Sequence, residues 1–201
     1  MTEALELEPG LSDGDLVRSA ADGDRHAFAE IYDRYADRLY DFCVGLVGDR
    51  DAAADCVQDT FCVAATDLGG LREPDKLRPW LYSIARHHAM RRLRHRYREE
   101  VSDELPDMVS HQASTETLAA QSELARLVAD AAGGLSDRDR ELLDLSYRHG
   151  LDGPELAETL GVTLTSANTR MFRLRQTVER CLGALLVARG AQANPDACSE
   201  L

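Results

Sequence analysis

The chain has 201 residues, 44% of them hydrophobic and 29% charged, and its 36 acidic side chains outnumber 23 basic ones for a net charge of -13. That balance fits one or two small soluble cores and excludes a protein that grips nucleic acid by bulk positive charge. No apolar run reaches membrane-spanning length and the start MTEALELEPG lacks the basic and apolar parts of a signal peptide, so a cytoplasmic protein with no membrane insertion is expected.

Aromatic residues make up 5% and β-branched runs are scarce, which predicts an all-α fold. The five cysteines, Cys43, Cys56, Cys62, Cys181 and Cys198, are odd in number and form no CxxC pair; most read as small core residues rather than disulfide or zinc ligands. Charge divides unevenly. Residues 1–98 carry 18 acids and 14 bases, 99–134 carry 8 and 1, and 135–201 carry 10 and 8. Two nearly balanced blocks around an acidic strip predict two small helical domains joined by a flexible linker.

Ser12 followed by Asp15 signals an N-cap, and a short helix is expected from Asp13 to Ala21 before the break at Asp22-Gly23. Phe28, Ile31, Tyr32, Tyr35, Leu39, Phe42, Cys43 and Leu46 then recur at steps of three and four, which predicts a long amphipathic helix ending at Gly48. The next helix, Asp51 to Leu68, should bury Ala54, Val57, Phe61, Ala64 and Leu68. Asp55, Asp59, Cys62 and Thr66 fall on its opposite face with Gln58 at the edge, an acidic stripe suited to plain solvation or to a basic partner.

After Gly69-Gly70 and the turn at Pro74 comes PWLYSIARHHAMRRLRHRYR, residues 79–98. Trp80, Leu81 and Ile84 share one side of a helix, and Arg91, Arg92, Arg94, Arg96 and Arg98 follow with no acid between them. In so acidic a chain this edge suits a polyanion, with an aromatic beside the arginines for exposed bases; a solvated amphipathic helix is the plainer alternative. Residues 99–117 lack periodicity and read as the linker. A helix Leu118 to Ala132 is expected next, then one capped by Ser136 and Asp139 that runs to His149 and buries Leu142, Leu143 and Tyr147.

A short helix Pro154 to Leu160, a stop at Gly161 and a second helix from Thr163 follow the grammar of a helix-turn-helix. Ala167, Met171, Leu174 and Val178 line its buried face. Thr165, Thr169, Phe172, Arg173 and Gln176 line the far side, flanked by Asn168 and Arg170. Arginines, amides and hydroxyls on one face suit phosphates and base edges in a major groove, whereas a merely packed αα-hairpin needs none of them.

Together these stretches resemble a bacterial RNA polymerase sigma factor of the extracytoplasmic-function (ECF) type over nearly all of residues 13–182. DAAADCVQDTF is similar to the family's clamp-docking helix, LRPWLYSIARHHAMRRLR to its −10 reader, and LSDRDRELLDLSYRHGLDGPELAETLGVTLTSANTRMFRLRQ to its −35 reader. The resemblance implies a region 2-like domain over 1–98, an acidic linker over 99–117, a region 4-like helix-turn-helix domain over 118–182 and a tail over 183–201. It implies core polymerase binding through Asp55, Gln58 and Asp59, with Phe61 in the core. It also implies −10 contacts from Trp80, from a short base-capturing loop at Arg86, His87 and His88, and from Arg91, Arg92 and Arg94.

The −35 contacts would come from Thr165, Asn168, Thr169, Arg170, Phe172, Arg173 and Arg175. Asn168 stands where the family often has arginine or lysine, and Thr165-Ser166 replaces a frequent Gly-Thr pair, so the departure touches the −35 sequence and not the binding mode. Implied partners are core RNA polymerase through its β′ clamp and β flap, promoter DNA and an anti-sigma factor. The unbound protein would be a monomer with no cofactor, metal or catalytic role. Three other readings stay open on the residues alone: a polymerase-independent helix-turn-helix regulator, a thiol or metal sensor using His87, His88 and the cysteines, and a pure interaction module whose Arg91 to Arg98 cluster plays no part in DNA binding.

Overall fold

The computed structural model describes residues 11–102 and 135–193, and every regular element among them is helical. A first module contains α1 (Asp13–Ala21), α2 (Arg25–Val47), α3 (Arg50–Asp67) and α4 (Leu77–Ser102), with 3-10 turns at Leu68–Gly70 and Pro74–Lys76 between the last two. A second contains α5 (Asp137–Leu143), a π turn over Asp144–Arg148, α6 (Gly153–Leu160) and α7 (Leu164–Ala193). The helix expected over Leu118 to Ala132, the linker from 103 to 117 and the tail from 194 lie outside the described residues.

Local chemistry sets the helix ends. The Ser12 hydroxyl accepts the Asp15 N–H at 3.2 Å, and the Asp24 carboxylate accepts those of His26 and Ala27 at 2.8 and 3.4 Å. Both satisfy donors that a first turn leaves open. Gly48 closes α2 in the left-handed region at φ 69°, where a side chain would be strained. Asp13 then ties α1 to α2, accepting from Arg34 Nη1 at 2.7 Å and from the Tyr35 hydroxyl. Burial first, and the Asp13 contact second, push the Tyr35 pKa up, so the hydroxyl stays a donor.

Leu77, Leu81, Ala85 and Ala89 recur every fourth residue and run a buried stripe down α4 against α2 and α3. Leu16, Ile31, Leu39 and Phe42 complete this core. α3 is turned relative to the expected face: Ala53, Cys56 and Thr60 are buried with Val57, Phe61 and Ala64, whereas Ala54 is exposed. Small side chains at 53, 56 and 60 let helices approach closely. Thr60 meets its polarity within the helix, donating to the Cys56 carbonyl at 2.7 Å. Tyr32, placed on the α2 apolar stripe by its spacing, is 47% exposed.

Two further expectations are corrected. Arg86, His87 and His88 form no loop: α4 runs unbroken through them to Ser102, past the expected domain end, because no glycine or proline interrupts residues 80–102. The irregular segment lies earlier, across the two 3-10 turns. In the second module Leu142 is buried as expected, but the π turn shifts the register, so Leu145 is buried with it, Leu143 is half-buried and Tyr147 is 63% exposed.

α6 opens with a reciprocal capping box. Asp152 accepts the Glu155 N–H at 3.0 Å, and Glu155 accepts the Asp152 N–H at 2.9 Å. Gly161, at φ 64°, ends α6, and the Thr163 hydroxyl accepts the Ser166 N–H at 3.2 Å to start α7. Ala167, Met171 and Leu174 of α7 are buried, as are Leu156 and Ala157 of α6. The pair is a helix-turn-helix.

Candidate functional site

The outer face of α7 carries the seven residues expected to read DNA. Thr165, Asn168, Thr169, Arg170, Phe172, Arg173 and Arg175 are all exposed, and Phe172 keeps 62% of its surface in water. Thr169 donates its hydroxyl back to the Thr165 carbonyl at 2.8 Å. Asn168 also has a structural side. A Cβ built on Gly153 would sit 2.9 Å from its Oδ1, so the Asn168 amide fills the space beside the first turn of α6.

The basic residues of α4 divide between two clefts. His88, Arg91, Arg92, His95 and Arg96 line one of about 450 Å³, with Asp59 on its α3 wall. Arg86, His87 and Arg94 line another of about 570 Å³, whose opposite wall, from the second module, includes Asp137, Glu141 and Glu158. Trp80 is half-buried against the core. His87 and His88 meet edge to face with centroids 5.9 Å apart. Among the described residues no group of three or more His, Cys, Asp or Glu side chains is placed to hold a metal ion.

The acidic stripe on α3 does not face outward as one unit. Arg92 reaches back to it, with Nη1 3.2 Å from Asp55 and Nη2 3.3 Å from Asp59. Asp59 also lies 3.5 Å from His88 Nδ1. Burial lowers the His88 pKa more than Asp59 raises it, which favours the neutral ring. Gln58 belongs to a different cleft, lined by Phe28, Tyr32, Tyr40, Phe61 and Cys62, where the Tyr32 and Phe61 rings lie 4.5 Å apart. Behind the acids, Cys43 and Cys56 are buried thiols, and burial pushes Cys43 up to about 12. Cys62 is exposed, on the outward face of α3 where its spacing placed it.

Sequence reasoning counted Arg96 in the cationic edge of α4 without giving it a role, and passed over Arg78 of α4 and Glu141, His149 and Glu155 of the second module. Arg96 stands four residues past Arg92 and donates to the Val47 carbonyl at 3.2 Å, so helical spacing alone could have added it to the cleft. The others meet across a seam between modules. Arg78 forms a forked ion pair with Glu155 (Nε to Oε1 2.8 Å), and Arg86 another with Glu141 (2.5 and 3.2 Å). Between them the buried Tyr82 hydroxyl and His149 Nδ1 are 2.9 Å apart. His149 Nε2 lies 3.2 Å from Asp144 Oδ2 without hydrogen-bond alignment.

A helix-turn-helix behind a four-helix module with a cationic α4 defines a two-part nucleic-acid reader. Comparison with known families gives it a class. The family model for Sigma-70 region 2 matches residues 31–99 and that for Sigma-70 region 4 matches residues 125–178. The chain is 28% identical over 195 residues to the ECF RNA polymerase sigma factor SigK of Mycobacterium sp. (strain KMS), an alignment spanning 91% of this chain and 97% of that one.

Among solved structures, CnrH in complex with the cytosolic domain of CnrY is similar at TM-score 0.61 and 28% identity, covering 86% of this chain and 97% of that chain. RpoE of Bartonella quintana, solved with the anti-sigma factor NepR, shares the fold at TM-score 0.59 and 23% identity, covering 78% and 96%. The chain belongs to the sigma-70 family and, within it, to the ECF sigma factors. Among the described residues no helix is long and apolar enough to cross a membrane.

Proposed function

We propose that this sigma factor works in the cytoplasm as a monomer until it docks on core RNA polymerase. Asp55, Gln58 and Asp59 meet the β′ clamp, and the second module meets the β flap. The region 2-like unit, residues 1–98 with α4 continuing to Ser102, takes the −10 element through Trp80, Arg86, His87, His88, Arg91, Arg92 and Arg94, and a linker beyond that helix separates it from the region 4-like unit over 118–182. There Thr165, Asn168, Thr169, Arg170, Phe172, Arg173 and Arg175 read the −35 element. The factor supplies recognition and strand capture while polymerase supplies the chemistry.

The observation that carries this reading is the outer face of α7. Three arginines and an exposed phenylalanine stand on a helix whose other side is fixed by Ala167, Met171 and Leu174. Such a face can position on phosphates and still offer side chains to base edges. We place an anti-sigma factor among the partners because CnrH was solved with the cytosolic domain of a second protein, CnrY, which supports a protein partner for a chain of this type.

The test is transcription from a promoter library by core polymerase with this protein or with Asp55→Asn/Asp59→Asn. Asparagine is preferred to arginine, because reversed charges would crowd Arg92 and unfold the site for an unrelated reason. Initiation at sites sharing two sequence elements, strong with the native protein and weak with the variant, is expected. Equal activity of the two proteins would remove the acids from the docking surface.

A further inference from the structure

Gly153 opens α6 between Asp152 of the capping box and Pro154, and its backbone does not call for a glycine. Gly150 and Gly161 adopt positive φ, whereas Gly153 sits in an ordinary helical first turn. An alanine at such a position ordinarily stabilises a protein, because it narrows the unfolded chain. What this glycine supplies is room. A Cβ there would stand 2.9 Å from Asn168 Oδ1, 3.5 Å from Leu164 Cδ1 and 3.9 Å from Asn168 Cγ, and the first of these is well inside van der Waals contact.

That closeness decides which end of the amide faces which way. Oδ1 is turned to the first turn of α6, whose open N–H groups carry partial positive charge and attract an oxygen over an NH2 group. The two ends diverge from one trigonal carbon, so Nδ2 is turned away from α6. Asn168 is exposed, and its nitrogen therefore projects beside Thr165, Thr169 and Phe172 on the outer side of α7. An asparagine with both ends free spans adenine, donating to N7 and accepting from N6. With its oxygen held against α6, Asn168 has only donors to offer. Guanine presents two acceptors, N7 and O6, where adenine puts an amino group in place of O6.

We propose that Gly153 is a positioning residue for −35 recognition: by leaving room for the Asn168 oxygen against α6, it aims the amide nitrogen at the groove and makes Asn168 a reader of guanine and not of adenine. The inference rests on reading α7 as the −35 helix. Alanine at 153 would meet the end of a short side chain and not backbone, so the amide swings out while both helices stay in place. Swung out, it regains its acceptor and can span adenine.

The experiment uses the full chain in two assays. Promoter-library transcription with core polymerase is read as base frequencies along the −35 element, and thermal unfolding is followed without polymerase. The proteins are the native chain, Gly153→Ala, Asn168→Ala and the double variant. The native chain should favour guanine over adenine by at least about fivefold at one −35 position, and Asn168→Ala should abolish that preference at this position alone. Gly153→Ala should bring the two bases to within about twofold there, leave the other positions unchanged, and have no effect on base choice once residue 168 is alanine. In the melts, Gly153→Ala should raise Tm more in the Asn168→Ala background than in the native one, because the clash is gone.

A base preference at the Asn168 position untouched by Gly153→Ala, or a native preference for adenine there, would overturn the positioning. So would equal gains in Tm in both backgrounds, because the amide would then make no use of the space. If Asn168→Ala changes no −35 position while the melts still show the coupling, the reading of α7 fails and the specificity role with it, and only the packing of the pair stands.

Discussion

Arg92 of α4 pairs with Asp55 and Asp59 of α3, joining the surfaces proposed above for promoter DNA and polymerase, and Arg92→Ala separates them. Its guanidinium spans Asp55 and Asp59 at 3.2 and 3.3 Å, with side chains 36%, 58% and 48% exposed respectively. Ion pairs so well solvated contribute about 0.2 to 1 kcal/mol each, so their loss should cost the first module about 1 kcal/mol. For a unit of this size that is a fall in Tm of roughly 4 to 8 °C. Thermal unfolding followed by circular dichroism at low and high salt checks it, and the difference from the native chain should shrink as salt screens the pairs. The same change releases both carboxylates, so polymerase binding should hold or improve while promoter opening falls. If Arg92→Ala weakens polymerase binding as much as Asp55→Asn/Asp59→Asn does, the acids and the arginine form one docking unit and the division drawn between them is wrong.

Other outcomes follow from the same structure. Phe172→Ala should leave stability within about 0.5 kcal/mol, because the ring is 62% exposed, yet reduce −35-dependent initiation; run-off transcription beside a melting curve separates the two effects. Leu174→Ala, at a site 1% exposed, should cost about 2 to 5 kcal/mol and melt the second module before the first, visible as a two-step thermal transition. His88 gives a pH dependence of definite sign. Its pKa is lower in the folded chain than in the unfolded one, so the stability it contributes is present above about 6.5 and is lost as pH falls through the folded value. Denaturant melts of the native chain and His88→Asn between pH 7.5 and 5.5 should converge as pH drops, and parallel curves would refute the assignment.

What the sequence discloses is local. Ser12, Gly48, Gly161 and Thr163 mark helix ends by side-chain and backbone chemistry that operates over a few residues, and the bounds of α1 and of the helix-turn-helix are accordingly legible. The outer face of α7 is equally plain, since hydrophobic spacing decides which residues turn inward. The orientation of α3 is not, because Ala53, Ala54 and Cys56 differ little in hydrophobicity and only the packing of α2 and α4 around the helix selects among them. Arg78–Glu155 and Arg86–Glu141 join residues 77 and 55 positions apart. No periodicity or spacing rule reaches that far, so the seam becomes visible only in three dimensions. The π turn hides for another reason: its one-residue shift moves Leu145 inward and Tyr147 out without any breaker in the sequence.

Lys76 is the sole lysine in 201 residues, and it sits at the edge of that seam, 2.8 Å from Glu73 within its own turn and 3.5 Å from Glu158 of α6. A carbodiimide, which joins an amine to a carboxylate only where the two already touch, therefore has one side-chain amine to work with. The Lys76–Glu158 amide it forms across the modules would turn up as a single branched peptide after proteolysis. Its yield, followed as polymerase or promoter DNA is added, would report whether this contact persists, with no mutation, dye or spin label.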